Sequence, residues 1–347
     1  MANYATADLI KYQAKIAAQF NAGELRVRTP KVFMSLRQST EFIVPSHKAI
    51  KNAAKRTTGE VNFFARSTRA LGAAGEIHNH SGSVGDSNIV VPSWSVLDDK
   101  FKYSIKQANG SVYQLDEMLM NEMVNLNNNF SEGLEAAAVN WIHANRSTVN
   151  PAAVEGAFNA VNDAFEITEA FTNIMSAGYR TAQIIESVME INKWTGGRYV
   201  CYADTIFYNK MQSLVNNGSG NNLNTSFQFG NIEYVRSPEM NAKAAALGYT
   251  KGYAIVVQER NTAVLDWMPE QNRMGFVGPD NKYSSIIHPT TGLPLAMHEY
   301  SARADESGSA GDVQDVSTQV QAFTYLSFLH SPLTVAGETP LYAFAII

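Results

Sequence analysis

The chain has 347 residues, 45% hydrophobic and 17% charged, values that support a sizeable folded core and exclude wholesale disorder. No stretch approaches the ~18 uninterrupted apolar residues of a membrane-spanning helix, and the single cysteine, Cys201, excludes an internal disulfide. The net charge of −5 hides an asymmetry: residues 1–69 hold 12 Lys and Arg against four acids, a net +8, which leaves −13 for the rest.

A chain that is basic at one end and acidic at the other can dock head to tail with copies of itself. Contact of the same basic segment with nucleic acid is the lesser reading, and a plain solvated surface needs no partner. The first twenty residues lack a basic stretch followed by an apolar run, so they do not read as a signal peptide. Residues 5–20 read instead as an amphipathic helix, with Leu9, Ile10, Ala14, Ala17 and Phe20 near one face and Gly23 as the stop. Residues 24–58 are mixed, with short apolar pieces at Val32-Phe33-Met34 and Phe42-Ile43-Val44 and a basic helix over Ser46–Lys55.

Glu60 to Gln107 reads as a long two-stranded excursion. Val61 to Ala65 opens one arm, and Ile89-Val90-Val91 followed by Trp94 to Ile105 forms the return. In that return Phe101, Tyr103 and Ile105 alternate with Lys100, Lys102, Ser104 and Lys106, the period of a half-buried strand. Between the arms lies a Gly-rich tip running through Gly72, Gly75 and Gly85. A hairpin of this length has little core of its own and belongs against a neighbour.

From Gln114 to Ala144 there is no Pro and one Gly. Leu115, Met118, Leu119, Met123, Leu126, Phe130, Leu134, Ala138 and Trp141 recur at steps of three and four, the period of one helix face. That is a rod of roughly 45 Å, a structural spine, against an average helix of about 11–12 residues. Ala152–Asn173 is alanine-rich and helical in pattern. Thr181–Trp194 is a further helix with Ile184, Ile185, Val188 and Ile191 facing inward.

An α/β stretch follows: strand 198–202, a helix over Thr205–Val215 capped by Asp204, a strand over Phe227–Val235 with the turn Gly230-Asn231 inside it, and an apolar strand over Tyr253–Val257. Alternation continues from Val264 to Met268, then loops and short strands fill the chain from Pro289, ending in a buried strand over Leu341–Ile347. Cys201 sits inside an apolar run and reads as a buried strand cysteine.

Signals for chemistry are weak. His78 and His80 fall in the Gly- and Ser-rich tip, and His288 and His298-Glu299 have no third ligand at a recognisable spacing. Gly218-Ser-Gly220 lacks the Lys and Ser/Thr of a phosphate loop, Gly196-Gly197 precedes a strand rather than a helix, and no GxSxG elbow is present. Close acid pairs such as Asp98-Asp99 and Asp116-Glu117 read as solvation and capping, and the aromatics are interleaved with apolar residues as in a core. The expectation is a non-enzymatic protein without cofactor or metal.

The order of arm, long hairpin, spine helix and α/β lobe resembles the major capsid proteins of tailed bacteriophages, the Hong Kong ninety-seven-like fold shared with encapsulins. The carriers are the hairpin Glu60–Gln107, the spine Gln114–Ala144, and the unit from RYVCYA (198–203) through DTIFYNKMQSLVNN (204–217) to FGNIEYVRSPEM (229–240). The resemblance implies an α+β fold divided into an N-terminal arm (1–59), an extended loop (60–110), a peripheral domain around the spine (111–180), and an axial domain. The first part of that axial domain is 181–252, and the remaining axial and peripheral strands are 253–347.

It further implies a structural subunit that assembles with itself into pentamers and hexamers of an icosahedral shell. The shell would be built in the host bacterial cytoplasm and would enclose double-stranded DNA without sequence-specific binding. A separate scaffold, a portal and decoration proteins are the implied partners, with no membrane. The arm begins close to Met1, so the scaffold is expected to be a separate protein or the chain to be mature. Expected assembly residues are Arg26, Arg28 and Lys31 of the arm, Arg66, Arg69, Gly72, Gly75, Gly85, Lys100 and Lys102 of the loop, and Glu117, Glu122 and Glu132 of the spine. Two alternatives stand beside this: an encapsulin-like bacterial nanocompartment shell, and a nucleic-acid-binding protein using the basic N-terminal segment.

Overall fold

One long helix separates two sheets and fills the space between them. The computed structural model describes residues 5–38, 40, 50–53, 56, 61–64, 87–104, 112–150, 157–168, 174–192, 194, 197–216, 226–229, 231–278, 281–304, 315–331 and 337–347. The helices are α1 (Ala5–Asn21), α2 (Lys31–Gln38), α3 (Val112–Ala144), α4 (Ile174–Ile191), α5 (Thr205–Asn216), α6 (Glu239–Ala246) and α7 (Glu270–Met274). The strands are β1 (Val61–Phe64), β2 (Ser87–Val90), β3 (Ser95–Ser104), β4 (Ala157–Asn159), β5 (Ala164–Ile167), β6 (Tyr199–Ala203), β7 (Ser226–Phe229) and β8 (Ile232–Arg236). They continue with β9 (Tyr253–Gln258), β10 (Thr262–Trp267), β11 (Asn281–Ile287), β12 (Pro294–Ala304), β13 (Asp315–His330) and β14 (Leu341–Ile346).

The spine is α3. Its stripe buries Leu119, Met123, Leu126, Phe130, Leu134 and Ala138, while Leu115, Met118 and Trp141 are partly covered. At 33 residues it is roughly 50 Å long. The 16-residue β13 spans about the same distance. β13 organises a five-stranded antiparallel sheet: β3 pairs along one edge, and β12 then β10 along the other, with β11 outside β12. The inner face of this sheet, including Val264, Leu295, Met297, Val320, Ala322 and Leu326, joins the spine in one cluster.

The seven-stranded sheet runs β4-β5-β14-β9-β6-β8-β7, with β14/β5 and β6/β8 parallel and the other pairs antiparallel. Val200, Tyr202, Val235, Tyr253, Ile255 and Leu341 face the spine cluster. Cys201, Ala203, Ile232, Tyr234, Val256 and Phe344 face the opposite way, onto α4 and α5. Two covered faces explain why β6 and β14 are buried at every residue and read as continuous apolar runs rather than alternating ones. Asp204 caps α5, its Oδ1 accepting the N–H of Phe207 at 2.6 Å. Cys201 is fully buried on its strand.

Several expectations need correction. Residues 157–159 and 164–167, inside the stretch that reads as an alanine-rich helix, are strands. Asn159 Oδ1 accepts the N–H of Val161 and of Asn162 at 2.9 and 3.3 Å, and Asp163 adopts φ 47°, so the chain turns there. β5 then pairs with β14, and Phe165 stacks on Phe344 at 5.4 Å. A partner 179 residues away overrides local helix propensity.

The return arm of the hairpin also differs. Val61–Phe64 pairs with Ser87–Val90, but 95–104 pairs with β13 in the body of the protein. The region after Pro289 holds strands of 11 and 16 residues rather than short ones. Val32-Phe33-Met34 belongs to a helix, begun after Pro30, with Val32, Phe33 and Leu36 buried. Ile191 and Ile10, expected to face inward, are exposed. The hairpin tip and six of the ten residues of the basic helix expected over Ser46–Lys55 lie outside the described residues, and Ile50 and Lys51 are helical.

Candidate assembly surface

The spine carries a second stripe that its apolar pattern conceals. Asn127, Ser131 and Glu135 stand at i, i+4 and i+8, and all three are buried. Each binds a different element. Asn127 exchanges two side-chain hydrogen bonds with Gln13 of α1, at 3.2 and 3.0 Å, and Gln13 Nε2 also donates to Ile287 O at 2.7 Å. Next to this, the Tyr12 hydroxyl donates to Asp116.

Ser131 meets His288, which is fully buried in the turn between β11 and β12. The partners fix the tautomer of His288. Nε2 faces Asn127 O at 2.9 Å, a pure acceptor, so Nε2 carries the proton. Nδ1 accepts from Thr291 N and Oγ1 at 3.4 and 3.1 Å. Burial pushes the imidazole below its ordinary pKa, and the bond to the Asn127 carbonyl opposes that. The Ser131–His288 contact is thus a structural pair: the nitrogen at 3.2 Å from Ser131 Oγ holds a proton and has no lone pair to act as a base.

Glu135 caps α2. Its Oε2 accepts Val32 N at 3.0 Å, and its Oε1 accepts the Ser237 hydroxyl at 2.6 Å just before α6. A carboxylate at a helix N-terminus meets unsatisfied N–H groups and the positive end of the dipole. Burial raises the Glu135 carboxyl above its ordinary value, and the Ser237, Val32 and Phe33 bonds oppose that. Lys31 is lowered by burial first and by Arg236 next.

The arm is therefore seated on its own spine. Leu9, Tyr12, Ile16, Val32, Phe33 and Leu36 are all in the spine cluster, and Lys11 and Lys15 lie on the exposed side of α1. Among the expected assembly residues, Arg26 is exposed. Arg28 binds Glu132 at 2.8 Å and Glu239 at 3.5 Å, so two of the expected residues hold each other. Lys31 is half-buried, Glu117 is exposed and Glu122 is half-buried. Lys100 and Lys102 project from β3, with Lys100 paired to Asp98 at 2.9 Å. Arg66, Arg69, Gly72, Gly75 and Gly85 lie outside the described residues, as do His78 and His80.

On the outer face of the five-stranded sheet, strand register sets Lys100, Gln321, His298 and Tyr283 in one row. Lys102, Gln319 and Tyr300 form the next. His298 stacks on Tyr283 at 4.6 Å, and its Nε2 meets Asn281 Oδ1 at 2.8 Å. Its neighbour Glu299 points to the opposite, buried face, so His298 and Glu299 cannot share a metal ion. Among the described residues no group of three His, Cys, Asp or Glu side chains is placed to hold one. No described helix is long and apolar enough to cross a membrane.

Neither a protein-family model nor a curated protein matches the sequence. Solved structures do. The capsid structure of the cyanophage P-SCSP1u aligns over 93% of this chain and 90% of its own, at 14% identity and a TM-score of 0.50. A Mycobacterium phage Che8 structure aligns over 92% and 93%, at 8% identity and 0.48. The cyanophage Pam1 capsid asymmetric unit aligns over 85% and 86%, at 11% identity and 0.48. The chain shares the α+β fold of the P-SCSP1u capsid structure across nearly its whole length.

Proposed function

We propose that the chain is the major capsid subunit of a tailed bacteriophage, a structural protein of the virion that assembles with itself. In this reading it forms pentamers and hexamers of an icosahedral shell in the host cytoplasm. The shell encloses double-stranded DNA without sequence-specific contacts. A separate scaffold and portal, and in some cases decoration proteins, are its partners. The observation that carries the reading is the full-length fold likeness to the P-SCSP1u capsid structure. The seated arm and the buried polar stripe agree with it, because they stiffen the subunit.

Negative-stain microscopy of the purified chain, over a wide range of concentration and salt and with its scaffold when identified, tests this. Closed shells, tubes or rings of five and six subunits are expected. A protein that stays monomeric under all of these conditions would overturn the reading.

A further inference from the structure

The outer face of the five-stranded sheet carries a groove of about 500 Å³ lined by Lys100, Lys102, Gln319, Gln321, His298 and Tyr300. Lys100 and Lys102 are alternate residues of β3 and so stand on the same face, roughly 7 Å apart. Asp98 holds Lys100 at 2.9 Å and accepts from Gln321 Nε2 at 3.0 Å. Lys102 therefore presents the more available charge. The remaining lining is amide and aromatic, suited to extended backbone and carboxylate groups.

The chain contains a segment of matching chemistry. Residues 305–315 hold Asp305, Glu306, Asp312 and Asp315 with no Lys or Arg, a net −4 that no other eleven-residue window reaches. Residues 305–314 lie outside the described residues, but their ends are fixed. β12 and β13 stay paired to Ala304↔Asp315, four residues beyond the Tyr300↔Gln319 pair that lines the groove. Ala304 and Asp315, which flank residues 305–314, therefore stand beyond the groove along the same two strands.

We propose that the groove receives the acidic 305–315 segment of a second copy of this chain, a head-to-tail contact driven by the two lysines. The contact rests on the self-association proposed above. Such a pairing is heterologous, groove to segment, and therefore propagates from copy to copy until a ring or shell closes it. Opposite charges across it set orientation and speed of docking more than raw affinity.

Charge reversal tests the contact. One variant carries Lys100→Glu and Lys102→Glu, and the other carries Asp305→Lys, Glu306→Lys and Asp312→Lys. Lys100 and Lys102 are exposed, so thermal unfolding should first show the groove variant as stable as the unaltered chain. Each variant alone should need at least about tenfold more protein for half-maximal association, because like charges then face each other. A one-to-one mixture of the two should restore association, since each groove then meets a segment of opposite sign.

Three outcomes overturn the proposal. The first is association of the groove variant equal to that of the unaltered chain. The second is rescue only when all five changes are in one chain and not in the mixture, which places the contact within a single copy. The third is persistence of the variant effects undiminished in the mixture. Failure of the unaltered chain to associate would instead overturn the proposed function, and this contact with it.

Discussion

Gln13 of the N-terminal helix and Asn127 of the spine satisfy each other's amides through two hydrogen bonds across 114 residues of sequence, both within a buried site. Gln13 Nε2 and Asn127 Nδ2 have backbone acceptors besides, Ile287 O and Met123 O, so the two side-chain oxygens are the groups that rely on this exchange. Replacing Gln13 by Ala strands the Asn127 carbonyl oxygen and should cost about 1–3 kcal/mol in urea unfolding. Replacing both by Leu should cost less than the two single changes together. A double-mutant cycle that shows simple additivity would mean the two amides are not coupled.

Glu135 holds two elements at once, so its loss should act on both. Glu135→Ala uncaps α2 and frees the Ser237 hydroxyl, for an expected loss of about 2–4 kcal/mol. Hydrogen exchange should show 31–38 opening first. Glu135→Gln keeps one acceptor and should recover part of the loss. Equal exchange rates for 31–38 in the variant and the parent would show that the carboxylate does not cap the helix.

Glu299 should make stability depend on pH. It is 4% exposed, and its Oε1 has no hydrogen-bond partner. Burial pushes the carboxyl up to about 7, with Lys282 opposing. A folded pKa above the unfolded one means that ionisation costs the folded state. The protein is spared this cost below about pH 4.5 and bears it increasingly as pH rises through 7, to a ceiling of ~3 kcal/mol. Glu299→Gln should flatten that part of the stability curve and raise stability at pH 8 relative to the parent. An unchanged slope would place the titration elsewhere.

The Arg28–Glu132 pair is exposed on both sides, with side chains 39% and 59% accessible. Arg28→Ala should change unfolding free energy by less than about 1 kcal/mol, and less still in high salt. If the same change impairs association strongly, Arg28 contributes to contacts between copies as well as within one. If it unfolds the chain, the pair is far stronger than its exposure allows.

The spine, the buried C-terminal strand and the strand-helix-strand unit around Cys201 were legible because burial there is uniform or strictly periodic. The rest was hidden for identifiable reasons. β13 alternates, but its inner positions include Thr318, Ala322 and Thr324 while Phe323 and Tyr325 point outward, so polarity does not follow the faces. β12 places Glu299 inward for the same confusing effect. β4 and β5 depend on a partner at the far end of the chain. The polar stripe at Asn127, Ser131 and Glu135 did leave a trace: three polar residues at four-residue steps beside an apolar face. That spacing predicts buried partners, though nothing in it names Gln13, His288 or Ser237.

An oily seam between two helices tolerates sliding, because one methyl contact replaces another at little cost. The stripe on the spine removes that freedom. Moving the arm by a single helical turn, about 5.4 Å, would break the Gln13–Asn127 pair and take the α2 N-terminus away from the Glu135 carboxylate. Asn127 and Glu135 act as teeth of a key, setting where the first two helices sit along the spine. In the shell proposed above, where small angular errors would accumulate around each ring, a keyed arm would give every copy the same dimensions before it meets the next.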